Sequence, residues 1–518
     1  MLVWKSIFLV KDAFPFNSDE AIVALMAKHI LQGEFPIFFY GQAYMGSLDA
    51  YLVALGYLIF GQSIFAIRLV QSLLYACTIV ITYFIGKSAF QSVSAARISA
   101  ILMVIPTVNV TLYSTVSLGG YGEAMLIGAI QVWLGLVICK KMIAEKPNGI
   151  LLFILAFLSG FGFWVNGLTM VFTIPVWIYV FWQFIRHHQL KSNLIKMLLI
   201  IGLGGLLGLF PLLIYVFQNG IQSVWMELFG SAVAVEQGGW LVRSGNHLLY
   251  LILFGIPVML GIRPPWASEI QMSWLIPLIL PLVLGVGYQL YADARKKKFS
   301  GPIYLFFGII IVLLAAFIFT SFGVDPSGRY FVPLIIPSVL LSGYAINRLS
   351  EKKWILAVLL ILFSAYQGIV TWKLAESEPY ITTQFYAPAM VSHTYDDELI
   401  EFLGKNHLKY GYTNYWVSYP LAFLTDETFI YIPALPYHPD LKFTERDNRY
   451  APYTDWVSAS DEISYIVTKN PPLDDALARV FSEHDIRYDY HEIGDFHIYY
   501  HLSDMIRPDQ FNLVEFSK

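Results

Sequence analysis

Long apolar runs separated by short polar stretches fill the chain from residue 67 to residue 372, each close to the ~20 residues with which a helix crosses a bilayer. They extend approximately over Ile67–Gly86, Ile98–Tyr113, Ala124–Cys139, Ile150–Trp164, Leu168–Phe184, Ile195–Phe217, Trp274–Tyr291, Ile303–Phe322, Tyr330–Ala345 and Trp354–Trp372. The pattern predicts about ten spanning helices. Basic residues collect in every second connection: Lys87 and Arg97; Lys140, Lys141 and Lys146; Arg186, Lys191 and Lys196; Arg295-Lys296-Lys297-Lys298; Arg348, Lys352 and Lys353. Lys and Arg are retained on the cytoplasmic side. The opposite loops, with Asp19-Glu20, Ser114 to Glu123, Val324 to Arg329 and everything after Trp372, are therefore expected outside.

One apolar segment breaks the alternation. Counting His247–Gly261 as a span would put the Arg295 basic run on the wrong side, so it is read as interfacial or re-entrant, interrupted by Pro257, with Arg263-Pro264-Pro265-Trp266 as an outer-surface anchor. Met1–Val10 is too short to span and lacks the small-residue cleavage site of a signal peptide, so a first helix is expected upstream. Behind an Asn17 or Ser18 cap, Ile22, Leu25, Met26 and Ile30 form one apolar stripe with Lys28 and Glu34 off it. This predicts an interfacial helix lying on the bilayer, inside a first outer loop at about residues 11–65.

After Trp372 the periodicity changes. Strand-like runs at Tyr410–Trp416, Phe429–Pro433, Ile463–Thr468, Tyr488–Ile493 and Phe496–His501 alternate with helix-like stretches such as Asp397–Asn406 and Asp474–His484. The expected architecture is a polytopic α-helical membrane domain over residues 1–373, followed by a soluble extracytoplasmic α/β domain over 374–518.

Composition narrows the function classes. Of 518 residues 57% are hydrophobic and 14% charged, and the mean hydropathy of +0.59 excludes an ordinary soluble protein. A net charge of -4 offers no basic surface for nucleic acid. Cys77 and Cys139 lie in apolar runs and read as structural thiols, with neither a disulfide framework nor metal-ligand spacing.

The candidate chemistry sits in the outer loops. Ionised carboxylates are costly in hydrocarbon, so Asp19 and Glu20 at the edge of a membrane protein are candidates for use where lipid meets water, although acids in a first helical turn also simply complement the dipole. Arg329, in Val324-Asp325-Pro326-Ser327-Gly328-Arg329-Tyr330, has the planar donor fork that suits a phosphate at headgroup depth, or else serves as a snorkelling anchor paired with Asp325. Tyr330 follows it. Tyr121 and Glu123, beside Gly119-Gly120 and Gly122, are candidates for substrate contact because glycines permit close backbone approach, and an ordinary turn is the alternative. Asp49 in the first loop is a further candidate, with helix capping as its other reading.

The order of these pieces resembles the GT-C class of membrane glycosyltransferases, in the branch of protein O-mannosyltransferases, lipid A aminoarabinose transferases and Rgt-like bacterial enzymes. The matching segments are Asn17-Ser18-Asp19-Glu20-Ala21 with Ala27 to Gly33, Phe60-Gly61-Gln62-Ser63 with Ala66-Ile67-Arg68-Leu69, and Gly328-Arg329-Tyr330-Phe331-Val332-Pro333 with Pro337 downstream. The resemblance covers about Phe16 to Trp372, and its motifs are short. It implies an inverting transferase that moves a sugar from a polyprenyl-phosphate carrier to a glycan, lipid or protein acceptor on the extracytoplasmic face of the plasma (inner) membrane. In it Asp19 would be the general base and Arg329 would meet the donor phosphate. No metal or other cofactor is expected beyond the lipid-linked donor.

Two other classes stand beside this one. A transporter or lipid flippase would use the outer acids and Arg329 as gating pairs, but the span interiors carry almost no ionisable residues, whereas ion-coupled carriers need some at mid-membrane. A non-catalytic assembly subunit would use its tail to bind partners, and activity alone separates it.

Overall fold

The protein is described by a computed structural model over all residues except 2–3, 8–12, 145–147, 187–189, 228–237, 326, 350–352, 377–386, 439 and 514–518. Among the described residues eight helices are long and apolar enough to cross a membrane: Ile64–Phe90, Tyr121–Ile143, Gly167–Arg186, Trp240–Leu260, Ser273–Arg295, Gly301–Phe319, Arg329–Leu349 and Ala357–Ala375. A ninth forms if Ile195–Gly208 and Phe210–Asn219, bent by 62°, are one span. The bend falls where Pro211 removes a backbone donor. The expected span at Ile98–Tyr113 is divided at Pro106 into Val93–Val104 and Val108–Tyr113, and that at Ile150–Trp164 is a 17-residue helix, Gly149–Val165.

The Trp240–Leu260 segment corrects part of the sequence reading. It is continuous, because a π-helical turn at Leu251–Gly255 takes up Pro257 where a break was expected. Its contacts nevertheless cluster at one end of the bundle. The Trp240 indole donates to the Phe319 carbonyl at 3.4 Å, His247 Nδ1 lies 3.0 Å from the Ile318 carbonyl, and Gly255 and Val258 abut Phe331 and Gly328. Arg263 and Trp266 are no surface anchor either. Both are buried, Arg263 donating to the Phe254 and Ala267 carbonyls and Trp266 meeting Phe14 edge-on at 6.1 Å.

The helix Ser18–Leu31 also departs from expectation. It begins as foreseen, with Asn17 Oδ1 accepting from the Glu20 amide at 3.1 Å. Ala21 to Ala27 are all buried, however, so the helix has no face left to lie on a bilayer. Its side chains join Ala50, Val53 and Ala66 in one apolar core with Leu399, Trp416, Tyr419 and Tyr453 of the C-terminal domain. Burial on every side overrides the single stripe seen in the sequence.

The C-terminal α/β domain carries a five-stranded mixed sheet. With β1 (Phe38–Phe39) and β2 (Gln42–Gly46) forming a hairpin in the first loop, its strands are β3 (Tyr410–Thr413), β4 (Ile430–Pro433), β5 (Ser464–Thr468), β6 (Asp489–Ile493) and β7 (Phe496–Tyr500), in the order β4-β3-β5-β7-β6. β3 pairs in parallel with β4 and β5, whereas β7 is antiparallel to β5 and β6. All five expected strands are present within a few residues. One end differs: Tyr415 and Trp416, expected in a strand, open the helix Tyr415–Leu424.

Candidate active site

Asp19 lies in the first turn of its helix, partly exposed, and its Oδ1 accepts a hydrogen bond from the Tyr415 hydroxyl at 2.5 Å. Burial, with the Asp19 carboxylate adding to it, pushes the Tyr415 phenol well above its ordinary range, so it remains a donor. Over the Tyr415 ring, 5.5 Å from its centroid, sits the guanidinium carbon of Arg449. That guanidinium also meets the Gln42 side-chain oxygen at 2.8 and 2.6 Å with the amide oriented to accept.

Arg329 forms an ion pair through Nε with Asp325 Oδ2 at 2.5 Å, the partner foreseen for an anchoring arginine, and its guanidinium carbon lies 5.0 Å from the Tyr330 ring centroid. The loop is pinned behind it. Asn109 donates to the Gly328 carbonyl at 3.0 Å, Ser327 N donates to Asp325 Oδ1 at 2.8 Å, and Gly328 has φ +109° with no room for a Cβ against Asn109 and Val258.

Asp19 and Arg329 share a wall of tyrosines. Tyr44 feels the charges of Arg329, Arg449, Arg446 and Asp19; Tyr113 feels those of Arg329, Asp325 and Asp19. Tyr121 packs on Tyr113 with ring centroids 4.9 Å apart and lies within reach of Arg329 and Tyr330. Four of the sequence candidates, Asp19, Arg329, Tyr121 and Tyr330, are thus brought together where the membrane helices meet the C-terminal domain.

The other three, Glu20, Asp49 and Glu123, are placed away from this cluster. Glu20 is fully buried and bound two-pronged by Arg68, at 3.1 Å from Nε and 2.9 Å from Nη2. Asp49 is buried and already accepts from Gln71 at 2.7 Å, Ser117 at 2.7 Å and the Gly120 amide at 3.2 Å, so it fastens the loop leading into the Tyr121–Ile143 helix. Glu123 is buried beside Asp49, with 2% of its surface exposed.

Residues that sequence reasoning did not single out complete the centre: Tyr44, Tyr415, Arg446 and Arg449. Arg446 lies with its guanidinium carbon 5.8 Å from the Tyr44 ring and pairs with Glu227 at 2.5 Å. Asp447 is also close. Burial pushes its carboxyl up to about 7, with Arg449 lowering and Asp19 raising it. Two arginines within four positions of an otherwise acidic domain were the available signal. Among the described residues no group of three or more His, Cys, Asp or Glu is arranged to hold a metal ion.

Comparison with solved structures gives this arrangement its context. ArnT from Cupriavidus metallidurans bound to undecaprenyl phosphate superposes with a TM-score of 0.61 at 11% identity, covering 96% of this chain and 97% of that one. The same enzyme in its apo state gives 0.59 at 11% identity with the same coverage. The chain shares the fold of these structures, which is of the GT-C type. Residues 47–215 independently match the family described as dolichyl-phosphate-mannose-protein mannosyltransferase. No curated protein matches in sequence. The GT-C fold accounts for both halves of the molecule, the multi-pass membrane domain and the sheet-bearing domain seated on one end of it.

Proposed function

We propose that this protein is an inverting glycosyltransferase that takes a sugar from a polyprenyl-phosphate carrier and passes it to an acceptor hydroxyl or amine at the extracytoplasmic membrane surface. The observation that carries the reading is the meeting of Asp19 and Arg329 around Tyr44 and Tyr113, in a fold whose C. metallidurans relative binds undecaprenyl phosphate. The distribution of basic loops supports an outer position for this end and for the C-terminal domain.

The chemistry follows from what the two groups can do. The acceptor attacks the anomeric carbon, Asp19 takes its proton, and the bond from that carbon to the phosphate oxygen breaks, leaving the electron pair on polyprenyl phosphate. Arg329, and the nearby Arg446 and Arg449, oppose the charge that develops on the leaving phosphate. One attack on the face opposite the phosphate inverts the anomeric centre. The residues named provide both base and cation, so the reading calls for no cofactor other than the donor.

Purified protein supplied with the radiolabelled polyprenyl-phosphate-sugar fraction from membranes of expressing cells should release polyprenyl phosphate and label an acceptor. Asp19→Asn keeps shape and loses basicity, so the rate should fall by about 10²- to 10⁴-fold at unchanged folding. A variant that keeps more than half of the rate overturns the assignment.

A further inference from the structure

Tyr415 is placed with more care than packing alone requires. It opens a helix whose start is fixed by Asn414, which accepts from the Trp416 amide at 2.9 Å and donates to Thr468 Oγ1 at 2.6 Å at the end of β5. The Ser18 hydroxyl donates to the Tyr415 carbonyl. The residue before Asp19 thus grips the backbone of Tyr415, while Asp19 itself accepts from that residue's hydroxyl. Two neighbouring hydrogen bonds fix both the distance and the orientation of the phenol relative to the carboxylate.

Arg449 is fixed just as closely. Its amide donates to the Tyr419 hydroxyl at 2.5 Å, which in turn donates to the Asp447 carbonyl at 3.0 Å. Its side chain runs against Gly41, where φ is +66° and a Cβ would lie 2.9 Å from Arg449 Cδ. The first-loop turn is therefore shaped around this arginine, which ends over Tyr415 and beside Gln42.

We propose that the C-terminal domain completes the reacting centre, with Tyr415 as the positioning residue of the Asp19 carboxylate and Arg449 as the cation stacked behind Tyr415 that supports it. This rests on the reading of Asp19 as the base. A catalytic carboxylate must be charged, held in one rotamer, and still have an oxygen for the acceptor's proton. Among the described residues Tyr415 bonds Oδ1 and none bonds Oδ2, which leaves Oδ2 for that proton. The charged and titratable groups facing Asp19 are Arg449, Tyr415, Tyr44, Tyr113, Asp447 and Tyr437. Of these Arg449 is the cation on the Tyr415 side, and burial holds the phenols among them in their neutral donor form outside the membrane.

The test uses the full-length protein and the labelled polyprenyl-phosphate-sugar fraction, with Asp19→Asn as a parallel control and thermal unfolding to count folded molecules. Tyr415→Phe keeps the ring and removes one hydrogen bond to a charged group. It should lower kcat by about 10- to 100-fold with KM for the donor little changed, and move the acid limb of the pH profile to higher pH. Arg449→Gln should move that limb the same way, and Arg449→Lys should restore most of its position. If Tyr415→Phe unfolds, the Arg449 pair still decides. A structural tie between the domains predicts lower stability with unchanged kcat and pH profile per folded molecule, and that result overturns the proposal while leaving Asp19 in place. Retained transfer in Asp19→Asn overturns both.

Discussion

Glu20 and Arg68 form a buried two-pronged ion pair, with Nε to Oε1 at 3.1 Å and Nη2 to Oε2 at 2.9 Å, one residue along the chain from Asp19. Successive helix positions are turned by about 100°, so Asp19 faces the tyrosine wall while Glu20 faces the Ile64–Phe90 helix. Arg68 also donates to the Phe14 carbonyl at 2.7 Å, which ties the chain entering the first helix to that span. The two adjacent acids therefore face different partners.

Removing one partner of such a pair strands the other in a low-dielectric interior. Glu20→Gln should lower stability by about 3–5 kcal/mol, seen as a large drop in unfolding temperature in detergent. Transfer per folded molecule should stay near the wild-type rate. A selective loss of activity at unchanged stability would return Glu20 to the substrate.

The membrane character of the chain, the five strands of the C-terminal domain and the cap at Asn17 were legible in the sequence because each rests on local periodicity or capping chemistry. The surroundings of Glu20 and Asp49 were not, because their partners Arg68, Gln71, Ser117 and Gly120 lie tens of residues away. Tyr415 was hidden for another reason. Tyr410–Trp416 reads as one β-rich run, and only the Asn414 cap marks the switch to helix just before the residue that meets Asp19. The stripe on Ser18–Leu31 misled because alanines cover the rest of that helix, and a small residue fits a protein core as readily as a surface.

A second contact between the domains should respond to acid. Glu427 accepts from His29 Nε2 at 3.0 Å and Tyr453 at 2.8 Å and pairs with Lys28 at 2.7 Å. Burial works to raise its carboxyl, but the hydrogen bonds of His29 and Lys28 outweigh it and hold the group down at about 2. A depressed folded value means that the stabilisation is present above the ordinary carboxylate range, near 4.5, and is lost as pH falls from there through about 2. With allowance for partial solvent screening the contribution is about 1–2 kcal/mol. Glu427→Gln should therefore unfold earlier than wild type at pH 7, and the gap should close between pH 5 and pH 2, as followed by thermal unfolding on a pH series. A constant gap across that range would contradict the assignment.

The sidedness of the bundle is open to chemical labelling. In a variant whose Cys77 and Cys139 are replaced, single cysteines at Lys297 and at Asp440 should react differently with an impermeant thiol reagent on intact cells. The Asp440 site should label and the Lys297 site should label only after permeabilisation. Equal labelling of the two would reject the orientation and, with it, the reading of His247–Gly261 as non-crossing.

Arg329 decides between phosphate binding and anchorage. Its pair with Asp325 uses Nε, one of the five donors of a guanidinium, and so leaves the planar fork able to serve a phosphate. Undecaprenyl phosphate is the probe, since the related ArnT binds it. Arg329→Ala should weaken binding of undecaprenyl phosphate in nanodiscs by about 10- to 100-fold, as for a lost hydrogen bond to a charged group. Arg329→Lys keeps the charge without the fork and should fall between the two. An anchor predicts the reverse ordering of effects: Lys replaces Arg at no cost, and Ala lowers stability while binding per folded molecule is unchanged. Unchanged affinity in Arg329→Ala would remove this residue from the donor site, and the charge of the leaving phosphate would then have to be met by Arg446 and Arg449.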